Sequence, residues 1–290
     1  MAAVQVCDAI LEGMKDKVVL ITGGASGIGK ATAELCLKHG ATVIIGDLNS
    51  LPSDLETSEN LKFIQLDVCS WESQIAAFLQ VEDWFGRIDH VFANAGIGPT
   101  TDFLNDNLDE NGHLTPPDLL TINVNLLGVI STVRLAAYYI QKNSAHRASG
   151  GLGSIVVNAS TASFQNFSAG DYTVTKHGVL GLIHGIGHQL EGKARLNAVA
   201  PSWTATKMID AAFIEGLGIG VQGPEVVAKS VALLFNDQQR HGDVIYSWEG
   251  KYREVNKAEG GFLAAADGIL VNSANEEYVV KKLREAKMIG

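Results

Sequence analysis

The feature that most constrains the fold is an alternation of short Val- and Ile-rich runs with longer stretches of helical periodicity. The runs are almost continuously apolar, as strands covered by helices on both faces are. This alternation is typical of repeated β-α-β units and predicts an α/β fold, a single Rossmann-type doubly wound parallel sheet of about seven strands. The predicted strands are residues 17–22, 41–46, 61–66, 88–93, 153–159, 195–200 and 243–247.

The segments between these runs indicate how the chain is organised. Residues 28–39, 71–85, 117–142 and 171–190 have helical patterns, and the polar segment 97–115 predicts a surface loop. No repeat or linker divides the 290 residues. We therefore predict one main domain at 1–250 and a C-terminal extension at 251–290, with a helix at 275–288, packed on that domain. The extension could cap a cleft or extend a contact between subunits.

Composition excludes several classes of partner. The chain has 22 Lys and Arg against 32 Asp and Glu, a net charge of −10. Such a chain lacks the clustered cations that nucleic acids and anionic membranes attract, so we expect neither as a partner. Neither a secretory signal nor a run of 18 apolar residues is present, and Cys7, Cys36 and Cys69 form no CxxC pair. We predict a cytoplasmic protein without a disulfide framework or a metal site.

A glycine-rich segment, Thr-Gly-Gly-Ala-Ser-Gly-Ile-Gly at residues 22–29, follows a predicted strand and opens a predicted helix. Glycine allows a tight turn and lets backbone N–H groups approach a phosphate at the helix N-terminus. An ordinary strand-to-helix turn is the alternative. The predicted phosphate contacts of this segment are Gly23, Ser26, Gly27 and Ile28.

Asp47 favours a dinucleotide at this turn. It ends the second predicted strand, 20 residues after Gly27, where a carboxylate accepts hydrogen bonds from an adenosine ribose. A carboxylate also repels a 2′-phosphate, and the neighbouring Leu48 and Asn49 carry no positive charge. The main domain is thus predicted to bind a dinucleotide, NAD rather than NADP, with Asp47 and Leu48 at the ribose.

Asp67 ends the third predicted strand and is a second candidate for the adenosine. Its carboxylate could accept a hydrogen bond from the adenine amino group, with Val68 against the ring. An N-cap of the helix at 71–85 is the alternative for Asp67.

Tyr172 and Lys176 are four residues apart in a predicted helix and therefore share a face. Ser160 ends the preceding predicted strand, 12 residues upstream of Tyr172. Transfer of a hydride to or from a carbinol carbon needs a proton at its oxygen, and a phenol becomes a base when a nearby cation lowers its pKa. Lys176 would supply that charge, and Ser160 would hold the substrate oxygen.

With these residues in this order, the sequence resembles the short-chain dehydrogenase/reductase family over about residues 17–247. Within the family, Asp47, Lys176-His177-Gly178 and the altered C-terminus are most similar to the NAD-dependent 15-hydroxyprostaglandin dehydrogenase branch and to fungal homologues from secondary metabolism. The chain departs from the family at Ser202, where glycine commonly follows the proline. It also departs at 246–250, where a glycine pair is common and many members build a tetramer interface.

The resemblance implies further roles. Asn125 would be the fourth catalytic residue, kinking a helix and holding a water in the proton relay from Lys176. Asn123 is its rival by composition. The implied cofactor contacts are Asn94, Ala95 and Gly96 at the floor of the site, Tyr172 and Lys176 at the nicotinamide ribose, and Pro201, Thr204 and Thr206 at the nicotinamide side.

The segments after Ser160, Asn94 and Pro201 supply the predicted substrate wall, which is apolar and favours a hydrophobic secondary alcohol or ketone. Some of these side chains could simply be core. The wall comprises Ile97, Ser160, Phe164, Gln165, Phe167, Tyr172, Trp203, Met208 and Phe213.

The helix at 171–190 carries small residues at helical spacing that would let a partner helix approach closely. We therefore predict a homodimer through this helix and 117–142, with a homotetramer as the alternative. Packing or surface positions, rather than metal binding, are expected for His177, His184 and His188.

The predicted function is NAD(H)-dependent hydride transfer through Asn125, Ser160, Tyr172 and Lys176. A relative of the same fold that uses bound cofactor for an isomerisation, cyclisation or dehydration is the alternative. A non-catalytic binding protein is disfavoured, because a binder has no need of a tuned phenol.

Overall fold

A computed structural model describes residues 2–53, 55, 59–100, 104–142, 151–269 and 273–286. Across these residues, a single mostly parallel sheet is covered by helices on both faces, the α/β architecture that the sequence predicts. The strands are β1 (Ala2–Val4), β2 (Val18–Thr22), β3 (Thr42–Asp47), β4 (Leu61–Gln65), β5 (His90–Ala93), β6 (Ser154–Asn158), β7 (Arg195–Pro201), β8 (Val244–Trp248) and β9 (Lys251–Glu254). Their order in the sheet is β1-β9-β8-β7-β6-β5-β2-β3-β4.

The helices connect the strands as crossovers or follow them. They are α1 (Asp8–Leu11), α2 (Gly27–Lys38), α3 (Trp71–Phe85), α4 (Leu120–Ile122), α5 (Val129–Lys142), α6 (Gly170–Ile186), α7 (Ala211–Gly216), α8 (Pro224–Asn236), α9 (Phe262–Ile269) and α10 (Ser273–Glu285). A π-helical segment, Asn123–Gly128, joins α4 to α5. The helix predicted at 275–288 corresponds to α10, and residues 287 and 288 lie outside the described residues.

The nine strands exceed the seven predicted by two at one edge. Strands β8 and β9 are antiparallel, as are β9 and β1. The pattern of apolar runs missed both additions for a physical reason. In β9 only alternate residues are buried and the others are charged, whereas β1 is three residues long and lies at the sheet edge. Neither the short edge strand β1 nor β9, which lies between β1 and β8, presents the long apolar run that marks a central parallel strand.

Two apolar layers hold the sheet between the helices. Along β2, Val19 and Ile21 pack into the layer that contains α2 and α8, whereas Val18 and Leu20 face the layer of α3, α5 and α6. A fully buried Ile or Leu side chain contributes about 2 kcal/mol relative to exposure, which explains why these strands are apolar on both faces.

The helix Leu120–Lys142 is long and apolar enough to cross a membrane by length and composition. Half of its most apolar stretch is nevertheless buried within the protein, and Val129, Val133 and Ile140 belong to the core layer beneath it. It is therefore a core helix of the α/β fold.

Candidate active site

The carboxyl ends of β2, β3, β5, β6 and β7 meet at one edge of the sheet because these strands are parallel and in register. The residues that follow them include the glycine-rich turn, Leu48, Asn94, Ser160 and Ser202. This is the edge at which open α/β sheets bind ligands.

The glycine-rich turn connects β2 to α2, and two of its glycines leave no room for a Cβ atom. Gly23 has a φ of +66°, and a Cβ there would lie 2.7 Å from the Cα of Ala95. A Cβ on Gly29 would lie 2.2 Å from the carbonyl oxygen of Gly23. Ser26 is the N-cap of α2 but makes no side-chain capping bond, so the first amides of the helix, at Gly27 and Ile28, remain available to an anion. The turn thus fits the pyrophosphate of a dinucleotide.

Asp47, the last residue of β3, lies beside this turn. Its Oδ2 accepts a hydrogen bond from the Ala25 amide at 3.0 Å, and its Oδ1 accepts one from the Asn49 amide at 2.9 Å. These bonds fix the carboxylate next to the turn, as a ribose contact requires. Leu48 follows it with an exposed side chain.

Asp67 lies after β4, where its Oδ1 accepts a hydrogen bond from the Cys69 amide at 2.8 Å. The N-cap of α3 is Ser70, whose hydroxyl accepts from the Ser73 amide at 3.1 Å. The alternative role considered for Asp67 is therefore filled by Ser70. Val68 packs against Gly128, where a Cβ would lie 3.0 Å from a methyl group of Val68.

Asn94, Ala95 and Gly96 run beneath the turn. The Asn94 carboxamide donates to the carbonyls of Gly23 at 2.9 Å and Thr22 at 3.1 Å. The Asn94 and Ala95 amides both donate to the Thr22 hydroxyl. A Cβ on Gly96 would lie 3.3 Å from Oδ1 of Asn125, so the glycine allows that carboxamide to approach.

Asn125 lies in the π-helical segment and is 1% exposed, whereas its rival Asn123 is exposed. Its carboxamide bonds the backbone of Ile97 twice, accepting from the amide and donating to the carbonyl, both at 2.8 Å. A π-turn widens the helix locally and is frequent at functional sites. The structure therefore places Asn125 against the loop after β5, and leaves Ile97 half-buried beside it.

Ser160 begins a short 3₁₀ helix, Thr161–Ser163, directly after β6. Its hydroxyl accepts a hydrogen bond from the Ala162 amide at 3.1 Å and lies near the phenol of Tyr172, whose pKa it acts to lower. Burial raises the pKa of Tyr172, and the nearby Ser160 hydroxyl opposes that rise only in part.

Lys176 is 6% exposed, and its ammonium lies 5.5 Å from the centre of the Tyr172 ring. The Nζ atom donates to the carbonyl oxygen of Asn158 at 2.7 Å, and burial lowers the pKa of Lys176 to about 8. The expected effect of Lys176 on the pKa of the phenol stays a prediction, because burial dominates the pKa of Tyr172 in the protein without ligand. Burial outweighs the other effects because the phenolate, like the ammonium, loses its hydration.

Of the predicted wall residues, Phe167 lies beside the Tyr172 ring and Trp203 packs on Phe167. The ring of Phe167 lies 6.5 Å from that of Tyr172 and 5.9 Å from that of Trp203, edge to face in both cases. The Thr173 hydroxyl donates to the Phe167 carbonyl, and the Gln222 amide donates to the Trp203 carbonyl at 2.9 Å. The backbone carbonyls of both aromatic residues are thus hydrogen-bonded, which fixes the backbone from which their side chains extend.

The other predicted wall residues are placed differently. Phe164 packs against the core and against Phe262 of α9, with ring centres 5.7 Å apart. Gln165 is exposed, and so are Met208 and Phe213. The proximity of Met208 to Gly98 brings the segment after β7 next to the loop after β5.

The predicted nicotinamide-side residues follow β7, which ends at Pro201. The Thr204 hydroxyl donates to the Ser202 carbonyl at 2.8 Å and accepts from Gln222 at 3.1 Å. Thr206 lies beside the glycine-rich turn, where a Cβ on Gly27 would be 3.0 Å from its methyl group.

Three residues of this region were missed by the sequence patterns: Asn158, Gln222 and Phe262. Asn158 is the polar end of an apolar run, a weak signal that could have been noticed. Gln222 and Phe262 belong to segments without a motif. Of the three histidines, His184 bonds the Asn256 carboxamide at 2.8 Å and His177 bonds the Thr173 carbonyl at 3.0 Å. The described part of the chain contains no group of three His, Cys, Asp or Glu that could hold a metal ion.

Comparison with known proteins assigns the family. Residues 17–215 match the family model described as short chain dehydrogenase. The chain is 41% identical over 273 residues to the short-chain dehydrogenase/reductase ascJ of Acremonium egyptiacum, covering 93% of this chain and 90% of that protein. It is 31% identical over 208 residues to the NAD(+) 15-hydroxyprostaglandin dehydrogenase of Mus musculus, covering 67% and 70%.

A solved structure supports the fold. The 3-ketoacyl-(acyl-carrier-protein) reductase from Brucella melitensis, complexed with NADH, superposes with a TM-score of 0.68 over 80% of this chain and 97% of that one, at 22% identity. The family match, the relatives and this architecture agree, and the chain is a member of the short-chain dehydrogenase/reductase family of oxidoreductases, whose cofactors are nicotinamide dinucleotides.

Proposed function

We propose that the protein transfers a hydride between NAD(H) and a hydrophobic secondary alcohol or ketone. The observation that carries this proposal is the position of the Lys176 ammonium, 5.5 Å from the centre of the Tyr172 ring, with the Ser160 hydroxyl near the same phenol. This arrangement lies at the sheet edge that also holds the glycine-rich turn. Asn125 completes the proposed catalytic set from the π-helical segment.

The proposed roles follow from the geometry. A nicotinamide dinucleotide, when bound, supplies the acceptor or donor of the hydride. In oxidation, Ser160 holds the substrate hydroxyl against Tyr172, which takes its proton while the carbinol C–H bond breaks. In reduction, Tyr172 returns a proton to the carbonyl oxygen. Because burial raises the pKa of Tyr172, reduction is favoured at lower pH, and oxidation is expected to increase with pH as the phenol ionises.

Asp47 supports NAD rather than NADP. Its carboxylate is held beside the turn by the Ala25 and Asn49 amides, where it would repel a 2′-phosphate. The adjacent Leu48 and Asn49 offer no cation that could compensate. A hydrogen bond from an unphosphorylated ribose would instead be favourable.

Phe167 and Trp203 support an apolar substrate. The Phe167 ring lies next to the reactive phenol and the Trp203 ring packs on Phe167, and both residues have hydrogen-bonded backbone carbonyls. Such a wall favours a neutral, hydrophobic group beside the carbinol carbon. We place the reaction in secondary-metabolite biosynthesis, because the sequence resembles fungal homologues from that chemistry.

We also propose a cytoplasmic homodimer in which α6 and the helix that contains α5 form the interface. Leu127, Ile130 and Val174 are exposed on these helices, and Gly181 and Gly185 leave open space beside α6. The segment from residue 251 is proposed to act as an extension of the same domain, because β9 pairs with β8.

The experiment is calorimetric titration of the purified protein with NAD and NADP, followed by a panel of hydrophobic secondary alcohols and ketones monitored by NADH absorbance. We expect NAD to bind more tightly and Tyr172→Phe to keep that binding while losing at least about 100-fold in kcat. Trp84→Phe, at a partly exposed position on α3, is the matched aromatic control and should retain activity. Tighter binding of NADP would contradict the role of Asp47. Turnover without any change in NADH absorbance would contradict hydride transfer and favour a non-redox reaction.

A further inference from the structure

Two carboxamides, those of Asn158 and Asn94, form a hydrogen-bonded row across the carboxyl ends of three neighbouring strands, β6, β5 and β2. Asn158 ends β6, and its Nδ2 donates to Oδ1 of Asn94 at 3.0 Å. Asn94 follows β5, and its own Nδ2 donates to the Gly23 carbonyl at 2.9 Å. The parallel register places Ala93 beside both Thr22 and Val157, so the two carboxamides become neighbours. The row connects the end of β6 to the glycine-rich turn.

The same residue also holds the catalytic cation. The carbonyl oxygen of Asn158 accepts a hydrogen bond from Nζ of Lys176 at 2.7 Å. Among the residues that the structure describes, no carboxylate forms an ion pair with Lys176. An accepting carbonyl favours the charged form of an amine, so the Asn158 carbonyl opposes the burial that lowers the pKa of Lys176.

The side chain of Asn158 lowers the stability of the fold at one of its atoms. Its Oδ1 is buried and has no hydrogen-bond partner within the described chain. An unsatisfied buried acceptor destabilises a fold, so a carboxamide that served only as filler would be a poor choice at this position. Its Nδ2 nevertheless makes the one bond that ties the 158 peptide to Asn94.

We infer that Asn158 is a positioning residue that couples the ammonium of Lys176 to the nucleotide-binding turn through Asn94. Its carboxamide fixes the peptide whose carbonyl orients Lys176, while Asn94 carries the same constraint to Gly23. This inference rests on the proposed function for its catalytic consequence. The effect of the Asn158 side chain on the Lys176 ammonium can be tested without cofactor.

The chain offers a matched control in Asn197, on β7. This residue is fully buried, and its carboxamide also links two segments, donating to the Arg240 carbonyl and accepting from the Asp243 amide, both at 2.9 Å. It makes no hydrogen bond to Lys176, Asn94 or the turn. Loss of either carboxamide should lower the stability of the fold, but only loss of the Asn158 carboxamide should change the pKa of Lys176.

The experiment is NMR titration of the Lys176 Cε resonance in cofactor-free protein labelled with ¹³C-lysine, assigned with Lys176→Arg. Wild type, Asn158→Ala and Asn197→Ala are compared, and NAD affinity is measured by calorimetry. We expect Asn158→Ala to lower the pKa of Lys176 further and to weaken NAD binding about fivefold, as loss of one hydrogen bond does. Asn197→Ala should leave both unchanged. Asn158→Ser is the second variant should the alanine protein not fold, with the same direction expected.

An unchanged Lys176 titration in the Asn158 variants would overturn the inference. Equal shifts in the Asn158 and Asn197 variants would also overturn it, because they would show a general loss of packing. A wild-type protein that binds neither dinucleotide would contradict the proposed function instead, and the cofactor-free titration would still decide the role of Asn158.

Discussion

At the scale of single residues, the stability of the fold and the chemistry of the site oppose each other at Lys176. Burial lowers its pKa to about 8, whereas a lysine in an unfolded chain has a pKa of about 10.4. Between these two pH values the unfolded chain binds more protons, so the free energy of unfolding rises as the pH increases through that window. Below about pH 8 the buried ammonium destabilises the fold by its full amount.

We therefore predict that Lys176→Met raises the free energy of unfolding at pH 7 by roughly 2 kcal/mol, the desolvation relieved less the hydrogen bond lost to Asn158. It should also abolish the rise in stability above pH 8 and the hydride-transfer activity. Urea denaturation of both cofactor-free proteins at neutral and alkaline pH checks this. A less stable methionine variant with an unchanged pH dependence would show that Lys176 is not strained by burial.

Residues of the candidate site differ in how far local sequence predicts them. Tyr172 and Lys176 are placed together by a helical spacing of four, which needs no tertiary knowledge. The choice of Asn125 over Asn123 came from the family resemblance, and burial separates the two in the structure. Asn158 depends on a contact 64 residues away, at Asn94, and the raised pKa of Tyr172 depends on complete packing. No local sequence pattern indicates the contact between Asn158 and Asn94 or the effect of burial on the pKa of Tyr172.

At the scale of elements, a buried arginine determines how α8 ends. Arg195, at the start of β7, is 2% exposed, and its guanidinium donates to the carbonyls of Leu234, Phe235 and Asp237 at the C-terminal end of α8. The last carbonyls of a helix have no partner within it, and this side chain donates to the Phe235 carbonyl. It is a second donor for the carbonyls of Leu234 and Asp237, which also accept from the Ser154 hydroxyl and the Arg240 amide.

We predict that Arg195→Met destabilises the protein by about 3 kcal/mol, because the Phe235 carbonyl loses its charged donor and the Leu234 and Asp237 carbonyls each lose one of two donors. Thermal denaturation should show a Tm lower by roughly 6–12 °C for a chain of this size. Lys229→Met, on the same helix but without a described partner among the carbonyls at its end, is the control and should change Tm little. Equal melting temperatures for the two variants would show that water replaces the guanidinium without penalty.

The bounds of the strands and helices show which parts of the fold are predictable from local sequence. The central strands were predicted to within one or two residues because each is an apolar run between polar ends. The long helix predicted from residue 117 begins at Leu120 and widens into a π-turn at Asn123–Gly128. Hydrophobic periodicity carries no signal for that turn, which is fixed by the bonds between Asn125 and the Ile97 backbone.

At the scale of the whole molecule, the sheet edge beyond β8 is covered by the chain itself. Strand β9 pairs with β8, and β1 pairs with β9. Buried Glu254 organises the chain after β9 by accepting hydrogen bonds from the amides of Val244, Asn256, Lys257 and Ala258. The covered edge cannot extend the sheet into another subunit at β8, which favours a dimer through the helices over a tetramer that uses this edge.

The dimer has a specific test at Gly181. A Cβ there would meet nothing within 4 Å, so a larger residue has no steric cost inside one subunit, and arginine has the better helix propensity. At a close helix–helix interface the same side chain would force the helices apart and bury a charge. We predict that Gly181→Arg converts a dimer of about 62 kDa, twice the 30.8 kDa chain, into a monomer of undiminished thermal stability. Light scattering at micromolar concentration measures the mass. Gly216→Arg, at an equally open position on α7, is the control and should remain dimeric. A wild-type monomer, or a dimer that tolerates Gly181→Arg, would place any interface elsewhere than on α6.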